Sequence, residues 1–126
     1  SGGEISRIML AFKHIIGSND SVETMIFDEI DTGISGKTAL VVGHKLSEIA
    51  KHRQIVCITH LPQIAASGDD NFSIDKKISD GKSHTVIEHL NDNGKLEMLA
   101  RLISGAPDSS NAIEAARELI AAVKTE

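Results

Sequence analysis

The sequence predicts an α/β fold in which parallel strands with flanking helices are followed by a β-hairpin and two C-terminal helices. An apolar run at residues 25–27 ends in Asp28 and Glu29, a helix-periodic segment follows, and a second short run at residues 55–59 ends in His60. Strand, helix and strand in succession build a parallel pair whose carboxyl ends lie at one edge of the sheet. We therefore expect the two acids and the histidine to lie close together.

The first helix is predicted to begin after Ser1, Gly2 and Gly3 and to stop at Gly17. Glycines let the backbone approach a phosphate closely, and the N-terminus of a helix favours an anion, with the Ser1 hydroxyl as a further donor. An ordinary serine cap with permissive glycines explains the same residues, and taken alone it is the simpler interpretation. One apolar face is predicted for this helix. Its members are Ile5, Ile8, Met9, Phe12, Ile15 and Ile16.

Asp28 and Glu29 end a strand that is predicted to be buried, and Asp31 follows two residues later. Ligands of open α/β sheets bind at the carboxyl ends of the strands. In nucleotide hydrolases an acid at this point holds Mg²⁺, and the next acid can reach the water that attacks the γ-phosphate. Asp28 and Glu29 fit these two roles. For an isolated pair of acids, however, the start of a polar loop is the favoured interpretation.

The segment Gly36-Lys37-Thr38 stands between a strand and a helix, as the end of a P-loop does. A P-loop would also need glycine at position 31, where Asp31 places a carboxylate instead. We therefore reject a P-loop here and predict a helix that starts at Ser35 and Gly36 and ends near Lys51. Its predicted buried stripe comprises Val42, Leu46, Ile49 and Ala50.

His60 follows the second buried strand, where a histidine can donate to a phosphoryl oxygen and respond to the γ-phosphate. A lone histidine usually only caps a strand or lies on the surface. Cys57 within the same strand is predicted to be a buried structural thiol. The remaining histidines show no metal-ligand spacing. They are His14, His44, His52, His84 and His89.

The second half of the chain predicts a short helix at residues 61–66 with proline in its first turn, then a hairpin that turns at Asp80-Gly81. The returning strand is expected at residues 85–90, and Asn93-Gly94 is expected to end the hairpin. Two amphipathic helices should follow, separated by Gly105, Pro107 and a capping cluster at 108–111. Their apolar stripes are Leu96, Leu99, Ala100 and Ile103, then Ala112, Ala116, Leu119, Ile120 and Val123.

Composition limits the class of protein. The 126 residues are 40% hydrophobic, enough for one globular domain or part of one. No apolar run is long enough to span a bilayer and no signal peptide precedes the first helix, so a cytoplasmic protein without a membrane partner is expected. A net charge of -5, three Phe and no Tyr or Trp argue against a nucleic-acid footprint in this segment.

Four motifs, in order, resemble those of the ABC-type ATPases. They are the signature motif Ser1-Gly2-Gly3-Glu4, the Walker B acids Asp28-Glu29, the D-loop residue Asp31 and the switch motif Thr59-His60. ABC transporters usually have proline after the glutamate, where Ile30 stands. Within the superfamily, segments 27–36, 57–66, 99–105 and 115–119 are similar to the SMC-like ATPases of bacterial double-strand-break repair.

This resemblance implies that Asp28 holds Mg²⁺ through water, that Glu29 is the general base or positions the attacking water, and that His60 contacts the γ-phosphate. All three would serve the ATP of their own head domain. Ser1, Gly2 and Gly3 would instead close over the ATP of a partner head. Asp31 would couple the two sites of a homodimer that sandwiches ATP between its heads.

The resemblance also implies that residues 1–126 form the C-terminal portion of a P-loop NTPase head, without its Walker A loop, Q-loop and coiled coil. We expect such a fragment to be inactive towards ATP by itself. DNA would be bound chiefly by other parts of the full-length protein, in the bacterial cytoplasm at the nucleoid.

Two alternatives from other classes remain open. A self-contained small NTPase that uses Gly36-Lys37-Thr38 would bind nucleotide tightly without any other chain. A non-catalytic interaction module, in which Asp28 and Glu29 are incidental, would leave turnover unchanged when Glu29 is replaced.

Overall fold

A computed structural model describes residues 1–16, 21–106 and 109–124, and these contain five α-helices and four β-strands. Contacts divide the chain into two compact units, residues 1–68 with 119–126, and residues 69–118. The elements in chain order are α1 (Gly2–Ile16), β1 (Thr24–Phe27), α2 (Gly36–Ala50), β2 (Gln54–Cys57), α3 (Pro62–Ser67), β3 (Phe72–Ser79), β4 (Lys82–His89), α4 (Asp92–Ser104) and α5 (Ser110–Lys124).

In the first unit β1 and β2 form a parallel pair, with Thr24 opposite Gln54 and Phe27 opposite Cys57. The connecting helix α2 begins at Gly36 after Ser35 in extended conformation, as predicted. The parallel pair and its crossover helix therefore confirm the central part of the predicted α/β fold. Both strands end at the same level, which brings the chain after Phe27 beside the chain after Cys57.

The core of this unit forms between the helices and one face of β1. It contains Leu10, Met25, Phe27, Ile30, Ala39, Val42, Leu46, Ile49 and Ile64. The prediction that both strands are buried is wrong, because Ile26 of β1 is 70% exposed and Val56 of β2 is 43% exposed. Residues 25 and 27 point to the helices, and residue 26 points to the opposite face, which is largely exposed.

Helix α1 begins at Gly2, so the glycines lie in its first turn, and it packs through a different face from the one predicted. Its buried positions are Gly3 and Leu10, with Ser6 and Arg7 half-buried between them. These residues recur every three or four positions and so share one side of the helix. The predicted apolar face is exposed in the described chain. Gly17, the predicted stop, lies outside the described residues.

The hairpin of the second unit pairs β3 and β4 antiparallel, with Ser79 opposite Lys82. Asp80 and Gly81 both have positive φ, 52° and 71°, as the predicted two-residue turn requires. Strand β4 begins at Lys82, earlier than predicted, because the pairing continues up to this turn.

The predicted role of Asn93-Gly94 in ending the hairpin is wrong. Both residues lie in the first turn of α4, where the Asn91 side chain accepts a hydrogen bond from the Gly94 N–H at 2.8 Å. The N-cap at Asn91 therefore starts the helix at Asp92, before the predicted turn residues. Helix α4 ends at Gly105 with φ 74°, as predicted.

In the second unit Leu96, Leu99 and Ala100 of α4 and Ala112 and Ala116 of α5 are buried, which agrees with most of the predicted stripes. Ile103, predicted to share the α4 stripe, is 39% exposed. The predicted signals at Pro107 and Asp108 lie outside the described residues. Among the described helices, none is both long and apolar enough to cross a membrane.

Replacement of Ile30 by alanine should destabilise the chain by about 2–5 kcal/mol, since Ile30 is fully buried and its removal leaves a cavity. Ile26→Ala is the matched control, because the same truncation at an exposed site should change the free energy of unfolding by less than about 0.5 kcal/mol. Urea unfolding of the two variants measures both values. Equal losses would show that Ile26 is as buried as Ile30.

Candidate functional site

The candidate site lies where the two parallel strands end. The backbone N–H of Ile58 donates to the carbonyl of Phe27 at 2.9 Å, so strand pairing continues to the last residue of β1. Asp28 and Glu29 follow at once, and His60 comes two residues after Ile58. The structure thus brings the predicted acids and the predicted histidine to one edge of the sheet.

The chain turns sharply after β1. Glu29 has φ 59°, in the left-handed region that non-glycine residues rarely adopt, and its carbonyl accepts from the Thr32 N–H at 3.1 Å. The turn returns Ile30 to the core, where its side chain is fully buried. Burial of Ile30 thereby holds the side chains of Asp28 and Glu29 on the exposed side.

Asp31 is the one buried charged residue among the described positions, with 4% exposure. Its Oδ2 accepts from the Thr59 hydroxyl at 2.6 Å and from the His60 backbone N–H at 2.8 Å. Nδ1 of the His60 ring lies 2.9 Å from the same oxygen. A single carboxylate on the loop after β1 therefore anchors the residues that follow β2.

Burial by itself would raise the pKa of the Asp31 carboxyl, but the hydrogen bonds from Thr59 and His60, with the nearby His60 ring, hold that pKa below its ordinary value. Asp31 is consequently ionised at neutral pH. His60 is 73% exposed in spite of this contact. When its Nδ1–H faces Asp31, its Nε2 donates a hydrogen bond only if the ring is protonated.

Cys57 lies beside this edge at the end of β2 as a free thiol. Burial, reinforced by the negative charges of Asp31 and Asp28, raises the pKa of Cys57 to about 12. The thiol stays protonated at neutral pH and is a poor nucleophile. The predicted structural role agrees with this environment, but the residue is half-buried and not buried as predicted.

The start of α1 lies against the same loop. A Cβ on Gly2 would come within 2.5 Å of the Glu29 Oε2, and a Cβ on Gly3 within 2.9 Å of the carbonyl oxygens of Glu29 and Thr32. The Ser1 hydroxyl accepts from the Glu4 N–H at 3.4 Å, which is the serine cap that the sequence left as an alternative. Gly3 is therefore needed, within this chain, for close packing of the helix on the loop backbone, whereas a Cβ on Gly2 would meet only the flexible end of the Glu29 side chain.

Two donors of α1 hold this loop, and neither was singled out from the sequence. The Ser6 hydroxyl donates to the carbonyl of Asp28 at 3.2 Å. Nη1 of Arg7 donates to the carbonyls of Ile30 and Thr32 at 3.0 and 2.8 Å. The available signal was the position of Arg7, four residues after Gly3 and so on the same side of the helix.

The segment Gly36-Lys37-Thr38 forms the first turn of α2. The Thr38 N–H donates to the Ser35 carbonyl at 3.0 Å, a bond of the helix start. Asp31 turns towards Thr59 and His60. This geometry agrees with the predicted helix start at Ser35 and Gly36.

The carboxylate of Asp28 is exposed at the strand end. Among the described residues, no group of three or more His, Cys, Asp or Glu side chains is placed to hold a metal ion. A single exposed carboxylate such as that of Asp28 suits Mg²⁺, which binds proteins through one or two carboxylates and takes its other ligands from water and phosphates.

Comparison with known proteins gives consistent matches. The chain is similar to the DNA repair protein RecN of Halalkalibacterium halodurans (44% identity over 120 residues, 95% of this chain and 21% of the relative). It is also similar to RecN of Treponema pallidum (42% over 122 residues, 97% and 21%) and of Bacillus subtilis (40% over 120 residues, 95% and 21%). The chain thus spans about one fifth of the length of these relatives. No family model matches it.

A solved structure from work on the ATP-driven dimerisation and DNA-stimulated activation of SMC ATPases also matches. The TM-score is 0.57 at 26% sequence identity, and the match covers 82% of this chain and 62% of that one. The predicted fold class, part of an SMC-like head with a parallel sheet, a hairpin and C-terminal helices, is confirmed. The predicted resemblance to the SMC-like repair ATPases is confirmed by the RecN matches.

Replacement of Asp31 by asparagine should make the free energy of unfolding depend less on pH in the acidic range. Because the pKa of Asp31 is lowered in the folded chain, its stabilising contribution is fully present above the pKa of the unfolded chain, near 4, and is lost as the pH falls through the folded value. Urea unfolding between about pH 6 and pH 2.5 measures this for both proteins. The parent should lose more free energy of unfolding than the variant below about pH 4, and parallel curves would contradict the assignment.

Proposed function

We propose that this chain forms the part of an SMC-like ATPase head that carries the hydrolytic residues. The whole protein would act in bacterial double-strand-break repair, since nearly all residues of this chain match RecN. The observation that carries the proposal is the meeting of Asp28, Glu29 and His60 at one sheet edge. Asp31 joins the ends of the two strands there. ATP is the proposed substrate and Mg²⁺ the proposed cofactor.

Each residue at the edge has one proposed task. Asp28, exposed at the strand end, would hold Mg²⁺ through water, and the ion would neutralise charge on the β- and γ-phosphates. Glu29 would accept a proton from the attacking water or orient it, and its exposed carboxylate has access to solvent for this purpose. His60 would donate to the γ-phosphate, with Asp31 orienting its ring.

Ser1, Gly2 and Gly3 would bind the ATP of a partner head. They stand at the N-terminus of a 15-residue helix, whose free N–H groups and dipole suit an anion. Asp31 would couple the two sites of this ATP-sandwiched homodimer. Because its carboxylate is buried within its own chain, the coupling would pass through the loop and His60.

The relatives are DNA repair proteins, and the solved neighbour comes from work on DNA-stimulated SMC ATPases. We infer that DNA is bound chiefly outside this segment, whose net charge of -5 does not suit a phosphate backbone. The proposed place of action is the bacterial cytoplasm at the nucleoid. No observation favours the small-NTPase or interaction-module alternatives.

Glu29→Gln in a full-length RecN that carries this segment should lower kcat for ATP hydrolysis by about 10² to 10⁴, since the amide cannot accept the proton. ATP binding should persist, because the contacts to the nucleotide remain. Glu118→Gln, an exposed glutamate of α5, is the matched control and should leave kcat unchanged. Only a slight loss of turnover in Glu29→Gln, with binding intact, would remove the proposed role of Glu29.

Calorimetric titration of the 126-residue chain with Mg-ATP should show no binding, because the proposed site lacks a phosphate-binding loop. Binding should appear after addition of the separately made remainder of a RecN head. Tight binding by the chain without this addition would instead support a P-loop at Gly36-Lys37-Thr38. That outcome would overturn the proposal that the nucleotide site is completed by the remainder of the head.

A further inference from the structure

Arg7 bridges two points of the loop that follows β1. Its Nη1 donates to the carbonyl of Ile30 at 3.0 Å and to the carbonyl of Thr32 at 2.8 Å. These two carbonyls flank Asp31 in the chain. One guanidinium nitrogen therefore fixes the backbone on both sides of the residue whose carboxylate holds His60.

The contact belongs to a wider interface between α1 and residues 28–32. The Ser6 hydroxyl donates to the carbonyl of Asp28, and Gly3 leaves no room for a Cβ against Glu29 and Thr32. The first two turns of α1 thus contact nearly every residue of the loop 28–32. Movement of the start of α1 relative to this loop would break the Arg7 bonds or carry the loop with it.

The opposite side of the loop is bound to the residues after β2. The Asp31 carboxylate accepts from the Thr59 hydroxyl and the His60 N–H, at 2.6 and 2.8 Å. Thr59 in turn accepts from the Leu61 N–H at 3.1 Å, which fixes its hydroxyl. The loop is therefore held from one side through its backbone and from the other side through one side chain.

We propose that Arg7 is a positioning residue that couples the start of α1 to Glu29 and, through Asp31, to His60. The inference rests on the proposed function, in which the start of α1 serves the nucleotide of a partner head while Glu29 and His60 serve that of their own. Closure of α1 on the partner's nucleotide would then set the loop that carries the general base. Arg7 links two half-sites that lie on one head but belong to different nucleotides.

Arginine suits this task because its guanidinium has donors in a fixed fork and no acceptor, so that carbonyl oxygens are its natural partners. Methionine preserves much of the volume of the side chain and removes every donor. Lysine keeps the charge but replaces the fork with a compact ammonium. These two replacements separate hydrogen bonding from packing and charge.

The test uses a full-length RecN that carries this segment, with Arg7→Met, Arg7→Lys and the control Arg117→Met, an exposed arginine of α5. Arg7→Met should lower kcat for ATP hydrolysis by about 10- to 100-fold, the scale expected for a misplaced catalytic group. The Kd for ATP and the thermal midpoint should stay close to those of the parent. Arg7→Lys should fall between parent and Arg7→Met, and Arg117→Met should match the parent.

A double-mutant cycle with Asp31→Asn tests the route of the coupling. If Arg7 acts through the loop that Asp31 anchors, Arg7→Met should cost much less kcat in the Asp31→Asn background than in the parent. An unchanged kcat in Arg7→Met, or equal losses of kcat and ATP affinity with a lowered thermal midpoint, would overturn the proposal. Strictly additive effects would exclude the route through Asp31.

A measurement without turnover separates this inference from the proposed function. The NMR signal of the His60 imidazole, assigned by its loss in His60→Gln, should shift in Arg7→Met and stay in place in Arg117→Met. If the parent fails to hydrolyse ATP, the proposed function fails, yet a shifted His60 signal still supports the coupling. If the parent is active, Glu29→Gln is inactive and the His60 signal does not move, only the coupling is overturned.

Discussion

The site depends on one buried carboxylate. A charge withdrawn from water destabilises a protein unless hydrogen bonds and opposite charges compensate for its lost hydration. The Oδ2 of Asp31 meets this requirement with the Thr59 hydroxyl, the His60 N–H and the His60 ring, all within 2.9 Å. Because the acceptor follows β1 and the donors follow β2, the network forms only when the two strands pair in their observed register.

In the turn after β1, favourable contacts likewise compensate for an unfavourable feature, which here is a backbone conformation. Ile30 is fully buried, and this burial offsets the left-handed conformation of Glu29, which costs about 1–2 kcal/mol in a non-glycine residue. Arg7 and Ser6 satisfy carbonyls that the turn leaves outside the sheet. A hydrophobic anchor and a set of polar contacts together keep Asp28 and Glu29 at the strand end, where chemistry on a bound nucleotide would need them.

The wrong expectations about burial in the first unit have a common physical origin. The apolar face of α1 and the Ile26 side of β1 are apolar in sequence and exposed in the described chain. Periodicity shows which residues share a face, but it does not show whether the group that covers the face belongs to the same segment. The same periodicity is therefore compatible with a buried face and with an exposed one.

Local chemistry was sufficient to predict most elements, since caps, turns and apolar periodicity act within a few residues. Asp80-Gly81 predicted the hairpin turn, Pro62 the first turn of α3, and Asp28-Glu29 the end of β1. The prediction that Asn93-Gly94 ends the hairpin was wrong because an asparagine–glycine pair occurs in the first turn of a helix as well as in a β-turn. Only the tertiary structure decided that Arg7 grips the loop and that Asp31 turns inward, because their partners lie 23 to 29 residues away along the chain.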